Sequence, residues 1–130
     1  MIKILLIDDE PQLTDLLRLN LERTGRFTVR TENISRRAIQ TALEFVPDVI
    51  LLDIIMPGLD GGDLAGKFKM EPTLSTVPII LVSALVSANE SDGESIAING
   101  GHVVVAKPVR VSHLIKSIEY VLEQGQAAKS

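Results

Sequence analysis

The stretch VILLDIIMPGLDGGD, residues 49–63, sets four apolar side chains in a row, Val49 to Leu52, ahead of a single carboxylate, Asp53. A proline and a glycine-rich turn follow. A short continuous apolar run marks a strand covered on both faces, not one that alternates between core and water. A carboxylate ending such a strand is costly to bury unless it finds a partner, a metal or a proton. The fold and the chemistry both turn on what Asp53 meets.

Working outward, the same kind of run recurs. Lys3–Ile7, Pro78–Val82 and His102–Ala106 read as further strands buried on both faces, while Thr28–Thr31 alternates as an edge strand does. Stretches of helical period lie between them. Pro11 suits a first helical turn, where its missing N–H costs nothing, and Leu13, Leu16, Leu17 and Leu21 form a stripe closed by Gly25. A second helix spans Ile34 to Phe45, with Ala38, Ile39, Ala42 and Leu43 toward the core. A third opens at Asp60, its N-cap, and uses Leu64 and Phe68. The last runs from about Val111 to Glu123, with Leu114, Ile115, Ile118, Val121 and Leu122 on one face. The segment LVSANESDGESIAINGG is rich in Ser, Asn and Gly and carries only a weak helical signal, so a short, soft fourth helix is expected from near Glu90. Strand–helix alternation with short connections implies right-handed crossovers and a doubly wound α/β sheet.

Composition agrees with one domain over residues 1–124 and a frayed tail over 125–130. The chain of 130 residues is 45% hydrophobic but only 3% aromatic, which leaves a core of Leu, Ile, Val and Ala. Absence of cysteine excludes disulfides and thiolate chemistry. No run approaches the roughly 20 apolar residues that cross a bilayer. A net charge of −4 speaks against nucleic acid as a direct partner. The basic stretch RFTVRTENISRR reads as a solvated helix start. A soluble, cytoplasmic protein is expected.

In an open α/β sheet the ligand site lies beyond the carboxyl ends of the strands, where the strand order reverses. Those ends carry Asp8, Asp9 and Glu10 after the first strand, Asp53 at the third, Ser83 at the fourth and Lys107 before Pro108 at the fifth. Singly each has a plain reading: an Asp-Asp-Glu run serves equally as a helix cap, and a Ser as a turn residue. Together they read as a site. Clustered carboxylates repel unless a cation is present, and oxygen ligands without His or Cys suit Mg²⁺ before Ca²⁺. His102 and His113 have no partner motif and read as structural or surface residues.

Four segments in series, LLIDDEP (5–11), PDVILLDIIMPGLDG (47–61), VPIILVSA (77–84) and AKPV (106–109), resemble the response-regulator receiver domains of bacterial two-component signalling, the CheY-like family, over essentially the whole chain. The resemblance implies a flavodoxin-like, five-stranded parallel sheet of order 2-1-3-4-5 flanked by five helices. It implies that Asp53 is the phosphoacceptor, that Asp8 and Asp9 are the acidic pair, and that Asp9, Asp53 and the backbone carbonyl of Ile55 ligate Mg²⁺ directly. Ser83 matches the switch hydroxyl and Lys107 the site lysine, with a cis Lys107–Pro108 bond. The implied partners are a sensor histidine kinase or phosphotransfer protein and a downstream output protein or domain. The protein would be a switch and not a turnover enzyme, catalysing only its own phosphorylation and dephosphorylation.

The sequence departs from that family at Val104, where an aromatic side chain usually accompanies the switch hydroxyl. Ile55 and Leu85, where other members guide or block a hydrolytic water, are both apolar, which predicts slow self-dephosphorylation. The soft fourth helix favours a monomer when unphosphorylated and predicts ordering on activation. Two rival readings stand beside this one. A degenerate receiver acting by constitutive contact is favoured by Val104 and opposed by the complete Asp8, Asp9, Asp53, Ser83 and Lys107 set. An aspartyl phosphohydrolase on a similar sheet would need a cap domain for its substrate, and no insertion here is long enough for one. No output domain is expected within the 130 residues.

Overall fold

The computed structural model describes residues 1–56, 59–83, 97–99 and 102–129. In chain order its elements are β1 (Ile2–Ile7), α1 (Pro11–Glu22), β2 (Phe27–Glu32), a 3₁₀ turn (Ser35–Arg37), α2 (Ala38–Phe45), β3 (Val49–Asp53), β4 (Ile55–Met56), β5 (Leu59–Asp60), α3 (Gly61–Met70), β6 (Ile79–Ser83), β7 (Ala97–Asn99), β8 (His102–Ala106) and α4 (Val111–Lys129).

Five strands pair in parallel in the order β2-β1-β3-β6-β8, which is the expected 2-1-3-4-5 when the parallel strands are counted along the chain. The four apolar runs occupy the interior because helices cover both faces. On one face Ile4, Leu6, Leu51 and Val105 pack against Leu17 and Leu21 of α1 and Leu114 and Ile118 of α4. On the other Leu5, Ile7, Ile50 and Leu52 meet Ala38 and Ala42 of α2 and Leu64 and Phe68 of α3. Neighbouring residues of one strand thus enter opposite cores, which is why no alternation shows in the sequence. β2 lies at the edge and alternates buried with exposed over Phe27–Arg30.

Several expectations need correcting. The sheet is not purely parallel: β7 adds a sixth strand antiparallel to β8, with Ala97 opposite Val104 and Asn99 opposite His102. Four α-helices stand among the described residues where five were expected, and the stretch from Glu90 assigned to the soft helix lies outside them up to Ser95 and Ile96, before β7 begins. The second helix opens with a 3₁₀ turn at Ser35. Asp60 directly precedes α3, the N-cap position expected of it, and also pairs with Ile55 in β5. α4 continues to Lys129, through most of the segment 125–130 expected to fray. The basic stretch is not simply a helix start: Phe27–Glu32 of it forms β2, and the 3₁₀ turn follows, while its arginines are exposed and Arg26 bridges Glu119 at 3.0 Å. Among the described residues no helix is long and apolar enough to cross a membrane.

Candidate functional site

The reversal of strand order falls between β1 and β3, each hydrogen-bonded to the other and on its far side to β2 or β6. Asp8 follows β1 and Asp53 ends β3, so the topology itself delivers two carboxylates to one point. Both are buried, at 6% and 4% exposure. Lys107, directly after β8, reaches across two strands to meet them. Its Nζ lies 3.0 Å from Asp8 Oδ2 and 3.2 Å from Asp53 Oδ2, with the exposed Glu10 Oε1 at 3.4 Å. The Lys107 N–H donates to the Ser83 carbonyl at 2.9 Å, and the Lys107–Pro108 bond is cis. Ser83 is fully buried and stands opposite Ala106.

The electrostatics follow from this crowding. Burial lifts the Asp8 carboxyl above its ordinary 3.8 and the Asp53 charge adds to the effect, while the Glu10 N–H and Lys107 pull it back. Burial also works against the Lys107 charge, but Asp8 and Asp53 outweigh it and hold the ammonium above its ordinary 10.5. Among the described residues, Lys107 thus faces three carboxylates, those of Asp8, Glu10 and Asp53.

The acidic run after β1 is not a helix cap. Glu10 occupies the N-cap position of α1 without a side-chain capping bond, and Asp8 Oδ1 instead accepts the Glu10 N–H at 3.0 Å. Carboxylate oxygens of Asp8, Asp9 and Glu10 lie within 4.8 Å of one another. Three hard oxygen donors at that spacing fit a divalent ion such as Mg²⁺. This cluster brings in Glu10, to which sequence reasoning assigned no role, while Asp53 sits beside it against Lys107. Ile55 lies two residues beyond Asp53, in β4.

Beneath the carboxylates the packing closes. Leu17, Leu51 and Leu114 surround Asp8, Thr14 and Asp53 about a void of roughly 10 Å³, enough for no more than one water. That void is too small to admit a larger reactant. A much larger cavity, about 450 Å³, lies beside the amino ends of β6 and β8 at Ile79, His102 and Val103, and none of the site residues lines it. His102 borders that cavity and His113 is buried in α4, so neither enters the site. Val104 is buried opposite Leu81 of β6. Leu85 lies outside the described residues.

Comparison with known proteins identifies the family. The sequence model of the response regulator receiver domain matches residues 4–119. Protein PilH of Pseudomonas aeruginosa is 32% identical over 122 residues, which span 94% of this chain and 98% of PilH. The polar-differentiation response regulator DivK of Brucella anthropi is 31% identical over 119 residues, 92% of this chain and 94% of DivK. The transcriptional regulatory protein KdpE of Mycobacterium tuberculosis is 31% identical over 125 residues, 96% of this chain but only 53% of KdpE. In fold, the chain resembles the Vibrio cholerae chemotaxis protein CheY4, with a TM-score of 0.78 at 24% identity over 93% of this chain and 98% of that one. A response regulator from Desulfuromonas acetoxidans gives 0.76 at 23% identity, over 95% and 98%. With the acids of β1 and β3 gathered around one lysine, on a parallel sheet of this order, the chain belongs to the response regulator receiver domain family.

Proposed function

We propose that the protein is a phosphoacceptor switch of a two-component phosphorelay, with Asp53 the residue that carries the phosphoryl group. The observation that supports it best is the placement of Asp53: a buried carboxylate at the end of a central strand, 3.2 Å from the Lys107 ammonium. In the step proposed, an Asp53 carboxylate oxygen attacks the phosphorus of a phosphohistidine on a partner. The new P–O bond forms as the P–N bond breaks, and the electron pair leaves with the protonated imidazole ring. Lys107 holds the phosphoryl oxygens, and the Ser83 hydroxyl, one strand away, turns to hydrogen-bond them. Asp8, Asp9, Asp53 and the Ile55 carbonyl would hold Mg²⁺, which supplies further positive charge.

On this reading the upstream partner is a sensor histidine kinase or phosphotransfer protein, and a downstream output protein or domain reads the changed surface. The protein works in the cytoplasm, as a monomer until phosphorylated, and turns over no substrate beyond its own acyl phosphate. Val104 has less volume to move than a ring, so the change rests more on the backbone after Ser83.

The test is intact mass after incubation with Mg²⁺ and a small acyl phosphate. Wild type should gain one phosphate only when Mg²⁺ is present, Asp53→Asn should gain none, and the decay of the adduct gives its lifetime. A folded wild type that gains nothing would transfer the weight to a receiver acting through constitutive contact.

A further inference from the structure

Asn33, in the loop between β2 and the 3₁₀ turn, makes two bonds that no sequence motif announces. Its Nδ2 donates to the Asp8 carbonyl at 2.8 Å and to the Thr14 hydroxyl at 3.0 Å. The Asp8 N–H in turn donates to the Glu32 carbonyl at 3.2 Å. The β1–β2 ladder, whose last register pair is Ile7 with Glu32, is thereby prolonged by one residue, with a side-chain amide standing in for the next backbone donor. Both polar groups of the Asp8 main chain are fixed from β2. The carbonyl that Asn33 holds belongs to the peptide linking Asp8 to Asp9, so its plane, and with it the direction in which Asp9 leaves the strand, is set by this bond.

The loop is braced to do this. Glu32 accepts the Ile34 N–H at 3.0 Å and the Thr41 hydroxyl at 2.6 Å, which ties the residues on either side of Asn33 to α2. Thr14 is buried and donates to the Pro11 carbonyl at 3.1 Å, which ties the other end of the amide to the first turn of α1. Asn33 is half-buried.

We propose that Asn33 is a positioning residue for the divalent cation: by holding the Asp8–Asp9 peptide it presets the acidic pair and so raises metal affinity. This rests on the metal reading given above. Groups that orient ligand-bearing residues commonly change metal affinity by about 10–100-fold when removed.

The experiment is a titration with Mn²⁺ alone, read by the electron paramagnetic resonance of the free ion, on wild type, Asn33→Ala and Thr14→Val, with the melting temperature of each. Thr14→Val removes a buried hydroxyl and one of the Asn33 bonds but leaves the bond to Asp8. Asn33→Ala should raise the Mn²⁺ dissociation constant by about tenfold, and Thr14→Val should shift it less than twofold while lowering the melting temperature at least as much. A folded Asn33→Ala that binds Mn²⁺ as wild type does overturns the proposal. So do parallel losses in both variants that follow their melting temperatures, because they would show loop stability alone. Wild type that binds no Mn²⁺ overturns the metal reading itself, and the proposal with it.

Discussion

Lys107 shows how much of this site depends on one side chain. It is the only cation within bonding distance of Asp8, Glu10 or Asp53 among the described residues, at 3.0, 3.4 and 3.2 Å. Its ammonium is held above its ordinary 10.5, so its contribution to stability is complete below that pH and is lost only as pH rises through the higher native value. At neutral pH Lys107→Ala leaves Asp8 and Asp53 buried without their counter-charge, and should cost about 2 kcal/mol in a chelator. Asp8 has the opposite sense. Its carboxyl is raised above 3.8, so what it contributes is present below that pH and is lost as pH climbs through its native value. Asp8→Asn, uncharged throughout, should gain on wild type from acid to neutral pH. Urea unfolding of the three proteins in a chelator across that range checks both signs. Equal midpoints for Lys107→Ala and wild type would mean that the cation does not offset the buried acids.

At the scale of elements, the end of α2 carries a conformational cost that the sequence hides. Val46 closes the helix at φ 51° and ψ 67°, its N–H bonded to the Ala42 carbonyl at 2.8 Å. Left-handed backbone costs an L-residue about 1–2 kcal/mol, β-branching makes it worse, and the following Pro47 favours extended backbone there. The side chain is 48% exposed, so little packing compensates. Val46→Gly should therefore stabilise the fold by about 0.5–1 kcal/mol, after the greater freedom of glycine in the unfolded chain is subtracted. A lower denaturation midpoint would show that the valine contributes more contact than its exposure implies. By contrast α1 was legible at both ends, from Pro11 at its start and from Gly25, which adopts φ 76°. The four buried strands were legible because continuous apolar runs have few other readings. β7 was missed because three residues, Ala97–Asn99, are too few for any period, although the Gly-Gly pair that separates Asn99 from His102 is the spacing of a hairpin. The tail expected to fray from residue 125 instead continues α4 to Lys129. Of the site, the residues at strand ends could be read from the topology. The contacts of Glu10 with Lys107 and of Asn33 with Asp8 could not, since they join positions 97 and 25 residues apart and exist only once the sheet has formed.

For the whole molecule, the sheet divides the labour. Its two faces carry the apolar cores, and the carboxyl ends of β1 and β3 receive acids that neither core can use. Asp8, Asp9, Glu10 and Asp53 bring four negative charges to that edge and Lys107 returns one positive charge, in a chain whose net charge is already −4. A cation bound at that edge would feed back on folding, because an ion that prefers the native state stabilises it. Mg²⁺ at ten times its dissociation constant should add about 1.4 kcal/mol to the unfolding free energy, and a chelator should remove it. Sodium chloride at matched ionic strength, which screens the same charges without entering a ligand cage, should reproduce only a small part. The gain should be larger in Lys107→Ala, where the ion replaces a missing charge as well as adding one, and smaller in Asp53→Asn. Thermal or urea unfolding of the three proteins under these conditions decides the matter: if Mg²⁺ and matched sodium chloride have the same effect on wild type, the acidic edge is only a repulsive surface, and a divalent ion has no specific place in it.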